Sequence, residues 1–207
     1  NPFTYNIGMR NQKYNIKLFN AFVSTIENVI LPLTEQGVSN GNKVFGAAVL
    51  KKQGLTVICA ETNNEMENPL FHGEIVALNK FFAEHANESP KDHFFLSTHE
   101  PCSMCLSAIT WAGFDNIFYL FSHEDSRDEH HIPHDLNILW EVFSLKPGKY
   151  NRENSYWTCS ALQALLKPDS SKLSRDAKES IQALKRRYKL LSDKYQSQKR
   201  GNKIPLN

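Results

Sequence analysis

The order of apolar segments along the chain predicts an α/β fold: three layers, with helices on both faces of a mixed sheet. Two observations carry this prediction. An initial hairpin is followed by alternating strand-like and helix-like segments, and the longest apolar runs, such as residues 117–121, have the length of strands. The chain has 207 residues, 22% of them charged and 41% hydrophobic, which is ordinary globular composition. This length suits one domain with an appendage better than two full domains.

The first predicted elements are a helix and a hairpin. Residues 15–33 carry apolar side chains at three- and four-residue steps, which predicts an amphipathic helix that Pro32 is expected to end. Residues 44–51 and 55–60 are predicted to form two strands, because a tight turn at Gly54 separates them. No run of 18 apolar residues is present, so we expect no helix that spans a membrane.

Helices and strands alternate in the middle of the chain. The predicted elements are a helix over 71–85, a strand over 94–98, a helix from Pro101 to Gly113, a strand over 116–121 and a helix over 136–143. Residues 154–166 are ambiguous and are assigned to a helix. We expect Trp111 and Met104 to lie in the core. The segment 122–133, rich in histidine and acid, is predicted to be a solvated lid rather than a second metal site.

The C-terminal part differs from the rest in charge. Residues 172–203 hold eleven Lys or Arg against three Asp or Glu, a local net charge of +8. Since the whole chain has a net charge of +2, the remaining residues together have a net charge of −6. Apolar residues spaced four and three apart from Ala177 to Tyr195 predict a helix with a narrow apolar stripe. We therefore divide the chain into a domain over 1–166 and a linker with a basic helix over 167–207. The stripe favours a docked helix over pairing with a partner or binding nucleic acid, and the last seven residues are expected to fray.

Two short motifs carry the chemistry. His72-Gly73-Glu74 and Cys102-x-x-Cys105 each stand at the start of a predicted helix, at one edge of the sheet. A pair of cysteines at this spacing is typical of either metal binding or redox chemistry. A redox dithiol does not need the upstream His-x-Glu motif, so we favour a metal site. Cys59 is interpreted as a packing residue, and Cys159 is left unassigned.

One histidine and two cysteines suit a catalytic zinc ion. Zn²⁺ is tetrahedral, so the ligands His72, Cys102 and Cys105 would leave its fourth position for water, whereas a structural site would close with a fourth Cys or His. Zinc lowers the pKa of a bound water towards 7. Glu74, two residues beyond the histidine, is placed for general acid and base catalysis without being a ligand.

These motifs resemble those of the cytidine and deoxycytidylate deaminase superfamily, in which H-x-E is followed by P-C-x-x-C. The resemblance covers residues from about 16 to 143. Beyond the two motifs it rests on Phe45-Gly46-Ala47-Ala48-Val49, on residues 106–112 and on the strand containing Phe118 and Tyr119. It is greatest to the branch of guanine, cytosine and tRNA adenosine deaminases.

The resemblance implies further properties. They are an α/β/α sandwich with a mixed five-stranded sheet, to which the predicted C-terminal helix is an extension, and a homodimer. We also expect a cytoplasmic location. It also implies that Phe45 and Ala47 shape the substrate pocket. Asn63, with Asn64 as the second choice, would hydrogen-bond the base or sugar, and Asp135 would contact a purine amino group.

We therefore predict a zinc-dependent hydrolase of purine metabolism that deaminates a small-molecule nucleobase or nucleoside and releases ammonia, with guanine favoured. The alternatives, in order, are a cytosine, cytidine or other aminopurine deaminase, and then a tRNA adenosine deaminase. Nucleic acid is a poor partner for a body of net charge −6. A non-catalytic scaffold with this fold is a further alternative, against which the presence of Glu74 argues.

Overall fold

The computed structural model describes residues 12–146, 149–166 and 172–207. The helices are α1 (Gln12–Thr25), α2 (Leu31–Ser39), α3 (Gly73–Glu84), α4 (Ser103–Ala112), α5 (His123–Asp128), α6 (His134–Glu141) and α7 (Lys172–Gln198). The strands are β1 (Gly46–Lys51), β2 (Val57–Thr62), β3 (His93–His99), β4 (Asn116–Phe121) and β5 (Thr158–Ala161). The alternation predicted from the sequence is thus confirmed.

The five strands form one mixed sheet in the order β2-β1-β3-β4-β5. Strand β1 is antiparallel to both of its neighbours, whereas β3, β4 and β5 are parallel. The fold is therefore the mixed five-stranded α/β/α sandwich that was expected. The helical assignment of residues 154–166 was wrong, because Thr158–Ala161 pairs with β4 as the last strand and only Leu162–Leu165 forms a 3-10 turn.

Alternating side chains of each strand feed two separate cores. On one face, β1 and β3 contribute Ala48, Leu50 and Leu96 to a core that also contains residues of α1, α2 and α7. On the other face, side chains from the same strands pack against α3 and α4; these are Ala47, Val49 and Phe95. The site motifs begin the two helices of this second layer, α3 and α4.

The N-terminal helix does not end at Pro32. A five-residue π-helical turn, Ile26–Ile30, joins α1 to α2, and the helical path continues to Ser39. Pro32 lies in the first turn of α2, where its missing N–H and its ring are tolerated. The prediction was wrong because the π-helical turn lets the helix continue to the proline, with the N–H of Leu31 bonded to the carbonyl of Ile26.

The same helical segment bears on membrane association. Tyr14–Ser39 is long and apolar enough to cross a membrane by length and composition, although no continuous apolar run meets the sequence criterion. Helices in the core of a globular domain pass the same test. Leu18, Phe22 and Ile26 of this segment are fully buried in the first core. This packing supports the expectation of no membrane span, which stays a prediction.

Residues 122–133 are not a solvated loop. They contain α5, which a capping box opens: Ser122 accepts from the N–H of Asp125, and Asp125 accepts from the N–H of Ser122. His123 and His130 are buried rather than exposed. The prediction of a solvated lid was wrong for these two histidines. The polar composition of the segment suggested a loop, whereas part of it forms a short capped helix.

The C-terminal helix packs on the body through the predicted stripe. Ala177, Ile181, Leu184, Tyr188 and Tyr195 are buried in the first core. The segment after α7 does not fray at Ile204, which is 5% exposed. The division into 1–166 and 167–207 stays a prediction.

Trp111 was expected to lie in the core and does not. Its side chain is 91% exposed on α4. The three-residue steps that suggested burial place Leu106 and Ile109 on the inner face of this helix instead.

Candidate metal centre and active site

The two motifs lie at the N-termini of neighbouring helices. His72 and Cys102 occupy the N-cap positions of α3 and α4, both with extended backbone and neither with a side-chain capping hydrogen bond. Gly73 allows α3 to approach the sheet, because a Cβ there would lie 2.7 Å from the Cα of Gly46. Only glycine fits this close approach, which brings the histidine to the cysteines of the adjacent helix.

The donor atoms form a compact set. The Nδ1 atom of His72 lies 3.6 Å from the Sγ atoms of both Cys102 and Cys105, and all three donors lie within 4.8 Å of one another. Ligand distances of 2.3 Å for sulfur and about 2.0 Å for nitrogen place such a pair about 3.5 Å apart on a tetrahedral zinc ion. The residues therefore fit zinc, and they leave one position open for a non-protein ligand.

The electrostatics of Cys102 suit a thiolate ligand, whereas burial and the neighbouring Cys102 raise the pKa of Cys105 well above its usual range. A hydrogen bond from Cys105 and the adjacent His72 hold the pKa of Cys102 well below its usual range, against the effect of burial. The pKa of His72 is raised to about 9 because the neighbouring Cys102 outweighs the cost of burying the charged ring. The thiolate is the form that binds a metal ion, and a lowered pKa at a helix N-terminus favours it.

Glu74 lies beside the donor set and is only 4% exposed. One carboxylate oxygen accepts from the hydroxyl of Ser97 at 3.0 Å, and the other lies 3.5 Å from the Sγ atom of Cys105. Burial, followed by the charge of Cys102, raises the pKa of Glu74. The side chain can therefore hold a proton more readily than an exposed carboxyl group.

A cavity of about 370 Å³ opens onto the metal centre. Its described lining residues come from five parts of the chain: Lys43, Phe45, Glu65, Pro69, Leu70, His72, Cys102, Ser103, Met104, Ile132, His134, Asp135, Ile138, Ile204, Pro205 and Leu206. Of the four predicted substrate contacts, Phe45 and Asp135 line this cavity. Burial, with the nearby Cys102, raises the pKa of Asp135 well above its usual range.

The other two predicted contacts lie outside the lining. Ala47 is fully buried in the second core. Asn63 is buried and bonded within the protein: its Oδ1 accepts from the N–H of Gly73 at 2.6 Å, and its Nδ2 donates to Glu65 at 2.8 Å. Asn63 thus ties the loop after β2 to the start of α3.

Sequence reasoning missed several cavity residues. Lys43 and Glu65 form a buried ion pair with an N–O distance of 2.7 Å and side-chain exposures of 7% and 1%. The signal in the sequence was a lysine directly before the predicted hairpin, Lys43, and an acid soon after it, Glu65. The C-terminal residues Ile204, Pro205 and Leu206 form another wall, which the expectation of a frayed end excluded.

A second polar cluster supports the loop before Cys102. The buried Glu100 accepts from Tyr150 at 2.6 Å, from Arg152 at 2.7 Å and from the N–H of His123 at 3.1 Å. His123 also contacts the carbonyl of Pro101 through Nε2 at 3.1 Å. The loop is therefore fixed from behind by residues up to 52 positions away in the sequence.

These observations define a candidate zinc site. Residues 25–121 match the family described as the cytidine and deoxycytidylate deaminase zinc-binding region. Both motifs lie within the matched part. Zinc is accordingly the metal that His72, Cys102 and Cys105 are positioned to hold.

The chain is similar to two kinds of curated deaminase. It is 30% identical over 91 residues to a tRNA-specific adenosine deaminase of Rickettsia bellii, covering 43% of this chain and 63% of that protein. It is 31% identical over 94 residues to a guanine deaminase of Bacillus subtilis, covering 45% and 60%. The chain therefore spans less than two thirds of the length of these relatives.

A solved structure of a mutant protein in complex with 8-azaguanine has the same fold. It covers 78% of this chain and 80% of its own, with 21% identity and a TM-score of 0.50. At this identity the likeness concerns the fold alone.

Proposed function

We propose that this protein hydrolytically deaminates a free nucleobase or nucleoside, with guanine as the favoured substrate. One observation carries the proposal. His72 and Cys102 of the zinc site line a cavity of small-molecule size, and the buried carboxylate of Glu74 lies 3.5 Å from the third donor, Cys105. An open zinc position, a proton carrier and a cavity beside the metal are the parts that hydrolytic deamination needs.

When bound, zinc supplies a water whose pKa is lowered towards 7. In our proposal Glu74 would accept a proton from water and pass it to a ring nitrogen, and would then carry the proton of the added hydroxyl group to the departing amine. Water provides the oxygen of the product, and the amino group leaves as ammonia. Ser97 orients the carboxylate, and burial raises the pKa of Glu74 so that it can carry the proton between these steps.

The size of the cavity favours a small substrate. A volume of about 370 Å³ lies at the low end for small-molecule sites, about 300–1,000 Å³. Ile204, Pro205 and Leu206 wall the cavity from the C-terminal side. A polynucleotide strand needs an open groove for its backbone, so these walls favour a free base or nucleoside.

The charges of the cavity favour an uncharged substrate. Among the lining residues that the structure describes, Lys43 is the only lysine or arginine, and it is paired with Glu65. A phosphate group would therefore lack a free cation in the cavity. Asp135, at the first turn of α6, can accept a hydrogen bond from a purine amino group, which supports guanine.

A tRNA adenosine deaminase is the second candidate because curated relatives carry that name. The basic helix α7 could then bind the RNA. Part of its charge is already used, since Lys185 pairs with Asp125 and Glu129, and Arg187 pairs with Glu35. This pairing lowers its value as an RNA-binding surface.

The cytoplasmic location and the homodimer remain part of the proposal. Trp111 and Phe82, on the outer helices α4 and α3, are 91% and 43% exposed, which supports a partner on this face. A second copy of the chain is the partner that the resemblance implies.

The test is ammonia release from a panel of guanine, cytosine, adenine, cytidine, deoxycytidine, guanosine and a tRNA stem-loop, using zinc-loaded protein. We expect the fastest release from guanine and none from the stem-loop. Ammonia release from the stem-loop alone would show that the protein is a tRNA adenosine deaminase instead. No release from any substrate would favour a non-catalytic scaffold.

A further inference from the structure

We propose that Glu65 is a positioning residue for the histidine ligand, holding the ring of His72 from the side opposite the metal donors. The proposal rests on the zinc site of the proposed function and not on the choice of substrate. Glu65 is outside both sequence motifs and follows β2 by three residues.

The two ring nitrogens of His72 face different groups. Nδ1 is 3.6 Å from each cysteine Sγ atom, whereas Nε2 is 3.9 Å from the Oε1 atom of Glu65. A neutral histidine that binds metal through Nδ1 carries its proton on Nε2. The carboxylate of Glu65 therefore faces the N–H of the ligand in its metal-binding tautomer, with 3.9 Å between Nε2 and Oε1.

The other contacts of Glu65 hold its carboxylate in place. Oε2 accepts from the backbone N–H of Lys43 at 3.2 Å and from Nδ2 of Asn63 at 2.8 Å. Oε1 accepts from Nζ of Lys43 at 2.7 Å, and a carboxylate oxygen can accept a second bond. Glu65 is thus a fixed acceptor with capacity left on the oxygen that faces His72.

Asn63 completes the arrangement from the backbone side. Its Oδ1 accepts from the N–H of Gly73, the residue directly after His72. Asn63 and Glu65 are themselves hydrogen-bonded. One connected group therefore holds both the backbone next to the ligand and the ring of the ligand.

An ion pair that served only to stabilise the fold would not need this position. Glu61 and Lys80 form such a pair at the same N–O distance of 2.7 Å, but half-exposed and away from the cavity. Glu65 is instead 1% exposed in its side chain and faces the ligand. Metal-binding histidines usually donate their second N–H to a carboxylate or carbonyl, and loss of that partner costs about 10- to 100-fold in metal affinity.

The experiment compares Glu65→Gln with Glu61→Gln as the matched control. Zinc affinity of each metal-free protein is measured by competition with a chelating dye, without substrate. We expect Glu65→Gln to weaken zinc binding by about 10- to 100-fold and Glu61→Gln to change it less than about twofold. A Glu65→Gln protein with unchanged zinc affinity would overturn the proposal, even if its KM for a base were raised.

A second readout uses the wild-type chain, so the proposal stays testable if the variant does not fold. In the zinc-loaded protein, the Nε2–H resonance of His72 should be visible by NMR and slow to exchange with solvent. If Glu65 only stabilises the fold, Glu65→Gln will lower the free energy of unfolding and leave zinc affinity intact. An Nε2–H that exchanges freely in the wild type would also contradict the proposal. Failure of the substrate panel with intact zinc binding would affect only the proposed function.

Discussion

The parts of the chain before and after residue 121 contribute different things to one site. Residues 25–121, which match the deaminase family, contain the zinc donors and Glu74. Residues after 121 contribute much of the cavity wall: Ile132, His134, Asp135, Ile138, Ile204, Pro205 and Leu206. The first part therefore supplies the reactive groups, and the second part limits what can reach them.

The difference shows why chemistry is easier to infer than substrate. The donors are positioned by local rules, namely helix N-termini and a three-residue spacing within one turn. The walls depend on how α6 and the segment after α7 pack against the body. Changes before residue 121 should therefore abolish activity, whereas changes after it should shift selectivity.

The largest effect is expected from Cys105→Ser. A serine hydroxyl is a poor zinc ligand, so the variant should lose bound zinc and more than about 100-fold of activity. Elemental analysis and ammonia release measure the two effects. Cys59→Ser is the matched control, because Cys59 is equally buried but lies outside the donor set. Stoichiometric zinc in Cys105→Ser would show that the donor set is wrong.

The next effect separates proton transfer from metal binding. Glu74→Gln keeps the size of the side chain but removes its ability to accept a proton, so activity should fall by about 10²- to 10⁴-fold. Zinc content should stay at the wild-type level because Glu74 is not a ligand. Ammonia release at the wild-type rate would exclude Glu74 as the proton carrier.

A smaller effect tests the wall formed by the C-terminal segment. Leu206→Ala enlarges the cavity, so kcat/KM for guanosine relative to guanine should rise by about tenfold. Leu190→Ala, which removes an exposed leucine on α7, is the control and should leave the ratio unchanged. An unchanged ratio in Leu206→Ala would mean that this segment does not limit substrate size.

The smallest effect concerns the packing of α7 on α5. Hydrogen bonding from the N–H of Ser122, together with Lys185, outweighs burial and lowers the pKa of Asp125. A lowered folded-state pKa stabilises the fold above the unfolded value, near 4, and this contribution is lost as the pH falls through the folded value. Asp125→Asn should therefore cost about 0.5 kcal/mol at pH 7 and nothing at the lowest pH.

Chemical denaturation across the acidic range measures this difference. Asp128→Asn is the control, since Asp128 pairs only with Arg127 on the surface of the same helix among the contacts described. A constant difference between wild type and Asp125→Asn at every pH would show that the charge of Asp125 does not hold the two helices together.

The sequence predicted best where the controlling interactions are local. Strand β4 has the predicted bounds, and Gly113 ends α4 in the left-handed conformation with φ 87°. The donor set followed from spacing and residue type alone. Each of these depends on residues within one turn or one strand.

Predictions failed where distant contacts decide the outcome. Strand β5 has only four residues and is stabilised by pairing with β4. His123 is buried because it packs beneath the loop that precedes Cys102, which no periodicity indicates. The C-terminal end is ordered by bonds such as Asn202 Nδ2 to the carbonyl of Gly41 at 3.1 Å, across 161 positions. Long-range contacts of this kind leave no local pattern.

Incubation of zinc-loaded wild-type protein with guanine in ¹⁸O-labelled water tests the central claim most directly. We predict that every converted guanine releases one ammonia and that the product carries one heavy oxygen where the amino group was. Conversion without label, or ammonia release without this product, would contradict hydrolytic deamination at this site.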